Sequence, residues 1–374
     1  MKLRLPAEWE CQEFVMLAFP HSQTDWSYML DEVCRCYYNV IHTILKYESV
    51  LVVCHNTDEV RNYLLPENNS DWQKDLSVNN EKMERFTNKN NISLILIEIE
   101  TNDTWARDFG GITVFEYEYA ELHKDTYYPI NQHINKTVLD FGFNGWGLKF
   151  ASNLDNLVTS KLLTKAKSIF AKYRYKDLRN IILEGGSIES DGQGTILTTE
   201  QCLLSQNRNY LSKNKIEKLL TKHLGANHFL WLKNGALQGD DTDSHIDTLA
   251  RLCNKNTITY IQCTDTSDPH YDELIAMEAE LKVFKTKEGL PYLLIPLPMA
   301  DEVIFEGERI PATYANFLII NDAVVMPSYN SPKDEIAKSQ LEKAFPDRTI
   351  EMVNCLPLIK QHGSLHCITM QFPK

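Results

Sequence analysis

The C-terminal stretch "QHGSLHCITMQFPK" carries a cysteine, Cys367, inside a run of strand-forming residues close to the end of the chain. A cysteine that a strand ties into the core can be a positioned nucleophile, since a thiolate attacks electrophilic carbon readily. Side chains alternate along a strand, so His366 and Cys367 are expected to point to opposite faces, with only Cys367 facing a site. The alternative is a buried and inert cysteine, because free cysteine packs as a small hydrophobe.

A second stretch, "GDDTDSHIDTLARL", combines acids with a histidine at every other position. On an extended backbone these side chains would share one face, which would aim an imidazole and carboxylates into one pocket. A metal cluster and a helix N-terminus capped by its acids are alternatives. An EF-hand is excluded because Ile246 and Leu252 stand where glycine and glutamate are required. The alternating side chains are those of Asp241, Asp243, His245 and Asp247.

Two further acids lie beside paired glycines at the ends of apolar runs. Asp108 precedes Gly110 in "TWARDFGG", and Glu184 precedes two glycines in "IILEGG". Glycine lets backbone or ligand approach closely, so either acid could line a site. A turn aspartate paired with Arg107, and a glutamate that merely ends a strand, are the alternatives. The dinucleotide and P-loop glycine patterns are absent from the sequence, so no nucleotide site is predicted.

The predicted strands and helices that must position these residues alternate along the whole chain. Apolar, β-branched runs predict strands, and the segments between them predict helices. No linker or low-complexity tract interrupts the pattern, so we predict one α/β domain over residues 1–374. The predicted helices are Asp31–Lys46, Leu154–Lys172, Ser212–Leu224, Tyr271–Lys285 and Asp334–Phe345.

Composition narrows the class of partner. The net charge of −13 argues against nucleic acid or an anionic membrane, which both reward a basic surface, and favours a small cationic molecule. The nine cysteines contain no C-x-x-C pair, so neither a disulfide framework nor a zinc ribbon is predicted. No segment approaches the apolar length of a membrane span and no signal peptide is apparent, so a cytoplasmic location is expected.

Taken together, these stretches resemble the agmatine deiminase family, which belongs with the bacterial-type peptidylarginine deiminases in the guanidine-modifying superfamily. The resemblance implies a five-bladed pseudo-symmetric α/β propeller, the pentein fold, with the site at its centre and the nucleophile on the last strand. It implies neither a metal nor an organic cofactor, and it suggests a homodimer. The motifs that carry it are "LPAEWECQEFVMLAFPH", "TWARDFGG", "LDFGFNGWGLKF", "LEGGSIESDGQGTILTTEQCLLSQNRN", "GDDTDSHIDTLARL", "IPATYANFLIINDAVVMP" and "GSLHCITMQ".

The resemblance also assigns roles to single residues. Cys367 matches the nucleophile and His245 the general acid and base. Asp108 and Asp247 match the carboxylates that grip a guanidinium, which suits charge-assisted hydrogen bonds to a planar cation. Glu184 matches an acid that contacts the guanidinium or supports those that do. Acids around Cys367 should raise the pKa of its thiol, so we expect activation to depend partly on bound substrate.

The expected substrate is agmatine, hydrolysed to N-carbamoylputrescine and ammonia, because an acidic chain suits a dication. Trp105 and Trp146 are candidate walls of its pocket. Deimination of peptidyl-arginine or free arginine is the nearest alternative; amidino transfer and a non-catalytic guanidinium-binding protein are less favoured. The chain departs from the family pattern at Met16 and Phe19, where tryptophan is usual, and at Ser244, where glycine is usual.

Overall fold

Five sheets that repeat one arrangement contain most of the strands. The structure, a computed structural model, describes residues 2–65, 71–76, 82–117 and 134–374. In each of the five sheets a first strand pairs antiparallel with a second, and the second pairs parallel with a third. We number them by the chain order of their first strands. This recurrence confirms the mixed α/β fold class.

The strand bounds, in the order first, second and third, are as follows. Sheet 1 contains Ile112–Tyr117, Ile134–Gly142 and Tyr173–Ile182, and sheet 2 contains Ile188–Ser190, Thr195–Thr199 and His228–Leu232. Sheet 3 contains Ala250–Asn254, Thr257–Gln262 and Leu293–Pro298, and sheet 4 contains Leu318–Ile320, Ala323–Ser328 and Thr349–Asn354. Sheet 5 contains Thr369–Pro373, Gln12–Ala18 and Ser49–Cys54.

Additional strands extend this pattern at the edges. Lys2–Arg4 adds to sheet 1, and a two-stranded hairpin of Val303–Phe305 and Glu308–Ile310 stands apart. Sheet 5 is widened by Ser93–Glu98, Met83–Asn88 and Trp72–Lys74. None of the sheets closes on itself within the described ranges, so the five-bladed propeller stays a prediction.

A helix connects the second strand of each sheet to its third, as a parallel neighbour requires. The five predicted helices are confirmed, although the one predicted at Leu154–Lys172 is shorter and ends at Lys165. Each buries an apolar stripe against its sheet; Tyr37 and Ile41, one turn apart, are fully buried in the first of them. Their bounds are Leu30–Ile44, Val158–Lys165, Lys213–Leu224, Tyr271–Val283 and Lys333–Ala344.

Shorter helical segments lie mainly in the connections. The α-helical ones are Thr57–Leu64, Ala106–Phe109, Gly145–Leu148, Glu200–Leu203 and Leu356–Ile359. The 3₁₀ turns are Asp25–Met29, Asp155–Leu157, Gly185–Ser187 and Ile246–Thr248. No helix in the described ranges is long and apolar enough to span a membrane.

The C-terminal tail is tied to the N-terminal part of the chain, because Thr369–Pro373 pairs with Gln12–Ala18 and Phe372 stacks on Phe14 at 4.7 Å between ring centroids. The strand begins at Thr369, so His366 and Cys367 lie in the turn before it. The prediction that these two residues lie on the strand is therefore wrong, and strand alternation does not fix the directions of their side chains.

Candidate active site

The segments that lead into the first strands of the five sheets supply the candidate site. Asp108 lies in the short helix Ala106–Phe109 before sheet 1, and Glu184 precedes the Gly185–Ser187 turn before sheet 2. In the segments before sheets 3, 4 and 5, the polar residues likewise lie one to three residues before the first strand or before a 3₁₀ turn. They are His245 with Asp247 before sheet 3, Asn316 before sheet 4 and Cys367 before sheet 5.

His245 lies between two carboxylates and is fully buried. Its Nδ1 is 3.6 Å from Asp108 Oδ1, and its Nε2 is 3.9 Å from Glu184 Oε2. Burial lowers the pKa of His245, but Asp108, Cys202 and Glu184 together outweigh it and raise the pKa to about 10. The ring is therefore an imidazolium at neutral pH and can give up a proton.

Two donors fix the Asp108 carboxylate. The main-chain N–H of Gly186 donates to Oδ1 at 3.0 Å, and Trp146 Nε1 donates to Oδ2 at 2.9 Å. Trp146 sits at a φ of 54°, in the left-handed region, which turns its indole toward the carboxylate. Burial, together with nearby Asp247, raises the pKa of Asp108 despite the attraction of His245.

Asp247 keeps one carboxylate oxygen free. His366 Nδ1 lies 2.7 Å from Oδ2, whereas Oδ1 is buried without a hydrogen-bond partner among the described residues. Burial raises the pKa of Asp247, but the hydrogen bond and charge of His366 outweigh it, so the pKa is lowered overall. An ionised, buried and unpaired oxygen is an acceptor suited to a cationic N–H donor.

Gly186 faces the space that these groups enclose. A Cβ at this position would lie 2.7 Å from His245 Nδ1, 2.9 Å from Asp108 Oδ1 and 3.0 Å from Asp247 Oδ2. The glycine therefore keeps the volume between the imidazole and the two carboxylates open.

Cys367 is held by the Asn316 side chain and by the main-chain N–H of Arg107, which donates to the Cys367 carbonyl at 3.1 Å. Asn316 Oδ1 accepts hydrogen bonds from the main-chain N–H of Cys367 at 3.3 Å and from its thiol at 3.4 Å. Burial, followed by the charges of Asp247 and Asp108, raises the pKa of the Cys367 thiol well above its usual range. The sulfur therefore stays protonated at neutral pH unless positive charge arrives.

Glu184 is neutralised by an arginine. Arg208 Nε lies 3.1 and 2.8 Å from its two oxygens, while Nη1 donates to Asp243 at 2.6 Å. Asp243 and Ser244 have φ values of 64° and 62°, so the segment before His245 turns, and the extended backbone expected there is wrong. Glu184 thus supports the loop and His245.

The two tryptophans take different positions. Trp146 contacts Asp108 directly, whereas Trp105 donates from Nε1 to Asp103 and packs 5.6 Å from Trp26. A Cβ on Gly363 would collide with the Trp105 ring, so this indole supports the turn that leads to Cys367. Their roles as pocket walls stay predictions.

Within the described part of the chain, two buried groups combine histidine with acids or a cysteine at metal-like spacing, but their chemistry does not suit a metal ion. In the first, His245 is protonated and Glu184 is paired with Arg208, although metal ligands must be deprotonated and free. In the second, Arg251 donates to both acids. The groups are Glu184, Cys202 and His245, and Glu8, Glu189 and His366.

The family model of the Porphyromonas-type peptidyl-arginine deiminases matches residues 4–373, and the chain belongs to this family. This confirms the resemblance drawn from the motifs. A C. jejuni agmatine deiminase, solved as a Cys→Ser variant with substrate bound, is 35% identical with a TM-score of 0.83, covering 100% of this chain and 96% of its own. Agmatine deiminase of Pseudomonas aeruginosa is 29% identical over 99% of this chain and 95% of its own length.

A Porphyromonas gingivalis structure, provisionally described as an arginine deiminase, is 42% identical. Its TM-score is 0.83, and the match covers 100% of this chain and 99% of that one. Relatives of similar fold therefore carry names that differ in substrate.

Several residues around the site were not predicted from the sequence. Asn316 lies in "ATYANF", two residues before the first strand of sheet 4, and no local pattern singled it out. Arg208 lies in "SQNRN", within the connection between the second and third strands of sheet 2. Glu8 and Arg251 reach His366 from distant parts of the chain, with no local pattern to announce the contact.

Proposed function

We propose that this chain is a hydrolase that deiminates agmatine to N-carbamoylputrescine and ammonia through a covalent cysteine intermediate. The observation that carries the proposal is the buried, unpaired Oδ1 of Asp247, beside an imidazolium and a buried thiol. A guanidinium supplies the N–H donors and the positive charge that this arrangement lacks. The agmatine deiminase relatives support the choice of guanidinium compound.

The contacts that bind the substrate guanidinium also orient it. Asp247 accepts N–H donors through Oδ1, while its Oδ2 and the Asp108 carboxylate both lie within 3.0 Å of the Cβ position of Gly186. Two carboxylates on one planar cation fix its plane, which presents the central carbon to Cys367.

The first chemical step breaks a C–N bond. The Cys367 sulfur attacks the guanidino carbon and forms a C–S bond, giving a tetrahedral adduct. His245 donates its proton to the departing nitrogen, which leaves as ammonia. A thiouronium bound to Cys367 and a neutral His245 remain.

The second step consumes water. His245, now neutral, takes a proton from a water molecule as that water attacks the same carbon. The C–S bond then breaks, the sulfur leaves with its electron pair, the hydroxyl proton of the adduct passes to solvent, and the ureido product forms. His245 is again an imidazolium, and Cys367 is ready for proton uptake or another substrate.

Substrate activates its own nucleophile. The Cys367 thiol is protonated in the free protein because burial and two acids oppose a second negative charge. A bound guanidinium brings positive charge beside the sulfur, which lowers the pKa of the thiol and releases its proton to solvent.

The five sheets are the blades of a five-bladed propeller formed by one domain over residues 1–374. Two observations support this. The five sheets repeat one strand arrangement, and the segment that precedes the first strand of each sheet contributes a polar residue to the site. A crystal structure in which these segments do not surround Cys367 would contradict this arrangement. We also predict a cytoplasmic location, which cell fractionation tests. We predict a homodimer, which sedimentation equilibrium tests.

Deimination of arginine is the second candidate, favoured by the name of the P. gingivalis structure. Ammonia release with agmatine, free arginine and an arginyl peptide, measured side by side, separates the two. We expect the highest kcat/KM with agmatine. Preference for arginine would overturn the substrate, and release from none of the three would overturn the proposed function.

A further inference from the structure

His366 joins Asp247 to Glu8 through both nitrogens of its ring. Nδ1 lies 2.7 Å from Asp247 Oδ2, and Nε2 lies 2.8 Å from Glu8 Oε2. The imidazole is 1% exposed and belongs to the residue next to Cys367 in sequence. The mechanism above gives it no role, yet it contacts a carboxylate that binds the guanidinium.

The far end of this chain of contacts is firmly anchored. Glu8 Oε1 accepts from the main-chain N–H of Ile319 at 2.8 Å, and Oε2 accepts from Arg251 Nη2 at 3.1 Å. Arg251 is itself fully buried and donates to Glu189 and to the carbonyls of Ala315 and Phe317. Arg251 Nη2 also lies 3.1 Å from His366 Nε2, so His366 has fixed partners on both sides of its ring and little freedom to turn.

His366 is the only donor to the Asp247 side chain among the described residues. A buried carboxylate without a donor takes up a proton, because burial penalises its charged form. A protonated Asp247 would no longer attract a cation. The other ionisable groups around Asp247 are His245, Asp108, Cys367, Arg107 and Arg251.

We propose that His366 is a positioning residue that keeps Asp247 ionised and fixes its orientation, so that Oδ1 remains available to the substrate guanidinium. This inference rests on the proposed function. It concerns binding before any bond is broken, so it can be tested without turnover.

A matched pair of substitutions distinguishes the role of Nδ1 from that of Nε2. In His366→Asn the amide nitrogen replaces Nδ1 and can still donate to Asp247. In His366→Gln the amide reaches toward the position of Nε2 and leaves Asp247 without its donor. Both are made in a Cys367→Ala background, which removes the thiol titration and prevents turnover.

The readout is the Kd for agmatine by calorimetry from pH 6 to pH 9. We expect His366→Asn to stay within about threefold of the parent, and His366→Gln to bind at least about tenfold more weakly near pH 6, one pKa unit being a factor of ten. The weakening should shrink as the pH rises, because Asp247 regains its charge. A purely structural role would not be relieved by pH.

Two results would overturn the inference. One is His366→Gln binding with the parent's Kd and pH dependence. The other is equal, pH-independent weakening in both variants with a matching fall in the unfolding midpoint, which would indicate a structural role only.

Failure of the proposed function looks different, since then neither the parent nor wild type would respond to agmatine. In that event the same two substitutions are made in the protein that retains Cys367. The rate at which 2-chloroacetamidine, an amidinium without a tail, labels the thiol is then measured. His366→Gln should be labelled more slowly than His366→Asn near pH 6. Equal labelling rates would overturn the inference independently of agmatine.

Discussion

Asn316 accepts hydrogen bonds from the main-chain N–H of Cys367 and from its thiol through one amide oxygen, at 3.3 and 3.4 Å. The same oxygen accepts from the His366 N–H at 2.9 Å. One side chain from the segment before sheet 4 therefore fixes the turn that carries the nucleophile, and it does so without adding charge.

Replacing Asn316 with aspartate tests the importance of that neutrality. Asn316→Asp keeps the shape and an acceptor but places a carboxylate beside the sulfur, which raises the pKa of the Cys367 thiol further. We expect kcat/KM at pH 7 to fall at least about tenfold, the equivalent of one pKa unit. Steady-state ammonia release measures it.

The matched control is Asn316→Leu, which removes the acceptor without adding charge. Its loss of activity should not depend on pH, whereas that of Asn316→Asp should lessen in alkali. Equal pH dependence of the two variants would show that charge at this position is irrelevant.

The pH profile of the wild-type protein follows from the raised pKa values of Cys367 and His245. The thiol is protonated at neutral pH, and only the thiolate attacks, so kcat/KM should rise nearly tenfold per pH unit from pH 6 to pH 9. Above about pH 10 His245 loses the proton that the leaving nitrogen needs, and kcat/KM should fall. A plateau between pH 6 and pH 8 would indicate a thiolate already formed in the free protein.

Gly186 offers a test of the position of the site. A methyl group in Gly186→Ala would occupy the space among His245, Asp108 and Asp247, so we expect kcat/KM for agmatine to fall about 100-fold, as displacement of substrate by an ångström can cause.

Gly289→Ala is the control, since no atom lies within 4 Å of the added methyl and its φ is +81°. It should cost about 1 kcal/mol of folding free energy from backbone strain but leave kcat/KM unchanged. Full activity in Gly186→Ala would place the substrate elsewhere.

The sequence predicts what is local. The apolar stripe of Leu30–Ile44 and the β-branched run of Ser49–Cys54 identify their elements because period and residue type act over a few residues. The apolar run "ANFLIINDAVVMP" contains two strands that form a hairpin, which turns at Asp322, where φ is 60°. Asparagine and aspartate at such a turn were the overlooked signal.

Contacts between distant residues were beyond local reasoning. The motifs predicted Asp108, His245 and Asp247 as neighbours, and the structure brings these three together. The contact of Glu8 with His366 joins distant parts of the chain, and strand alternation does not apply to His366 and Cys367 because the strand starts only at Thr369.

The central claim is that the sulfur of Cys367 attacks the guanidino carbon, and ammonia release from agmatine by Cys367→Ala tests it most directly. Cys253→Ala, another buried cysteine whose thiol contacts Thr259 in sheet 3, is the matched control. We expect Cys367→Ala to lose ammonia-releasing activity by about 10⁴-fold or more, because the nucleophile is gone, and Cys253→Ala to retain it. Undiminished ammonia release by a folded Cys367→Ala protein would contradict it.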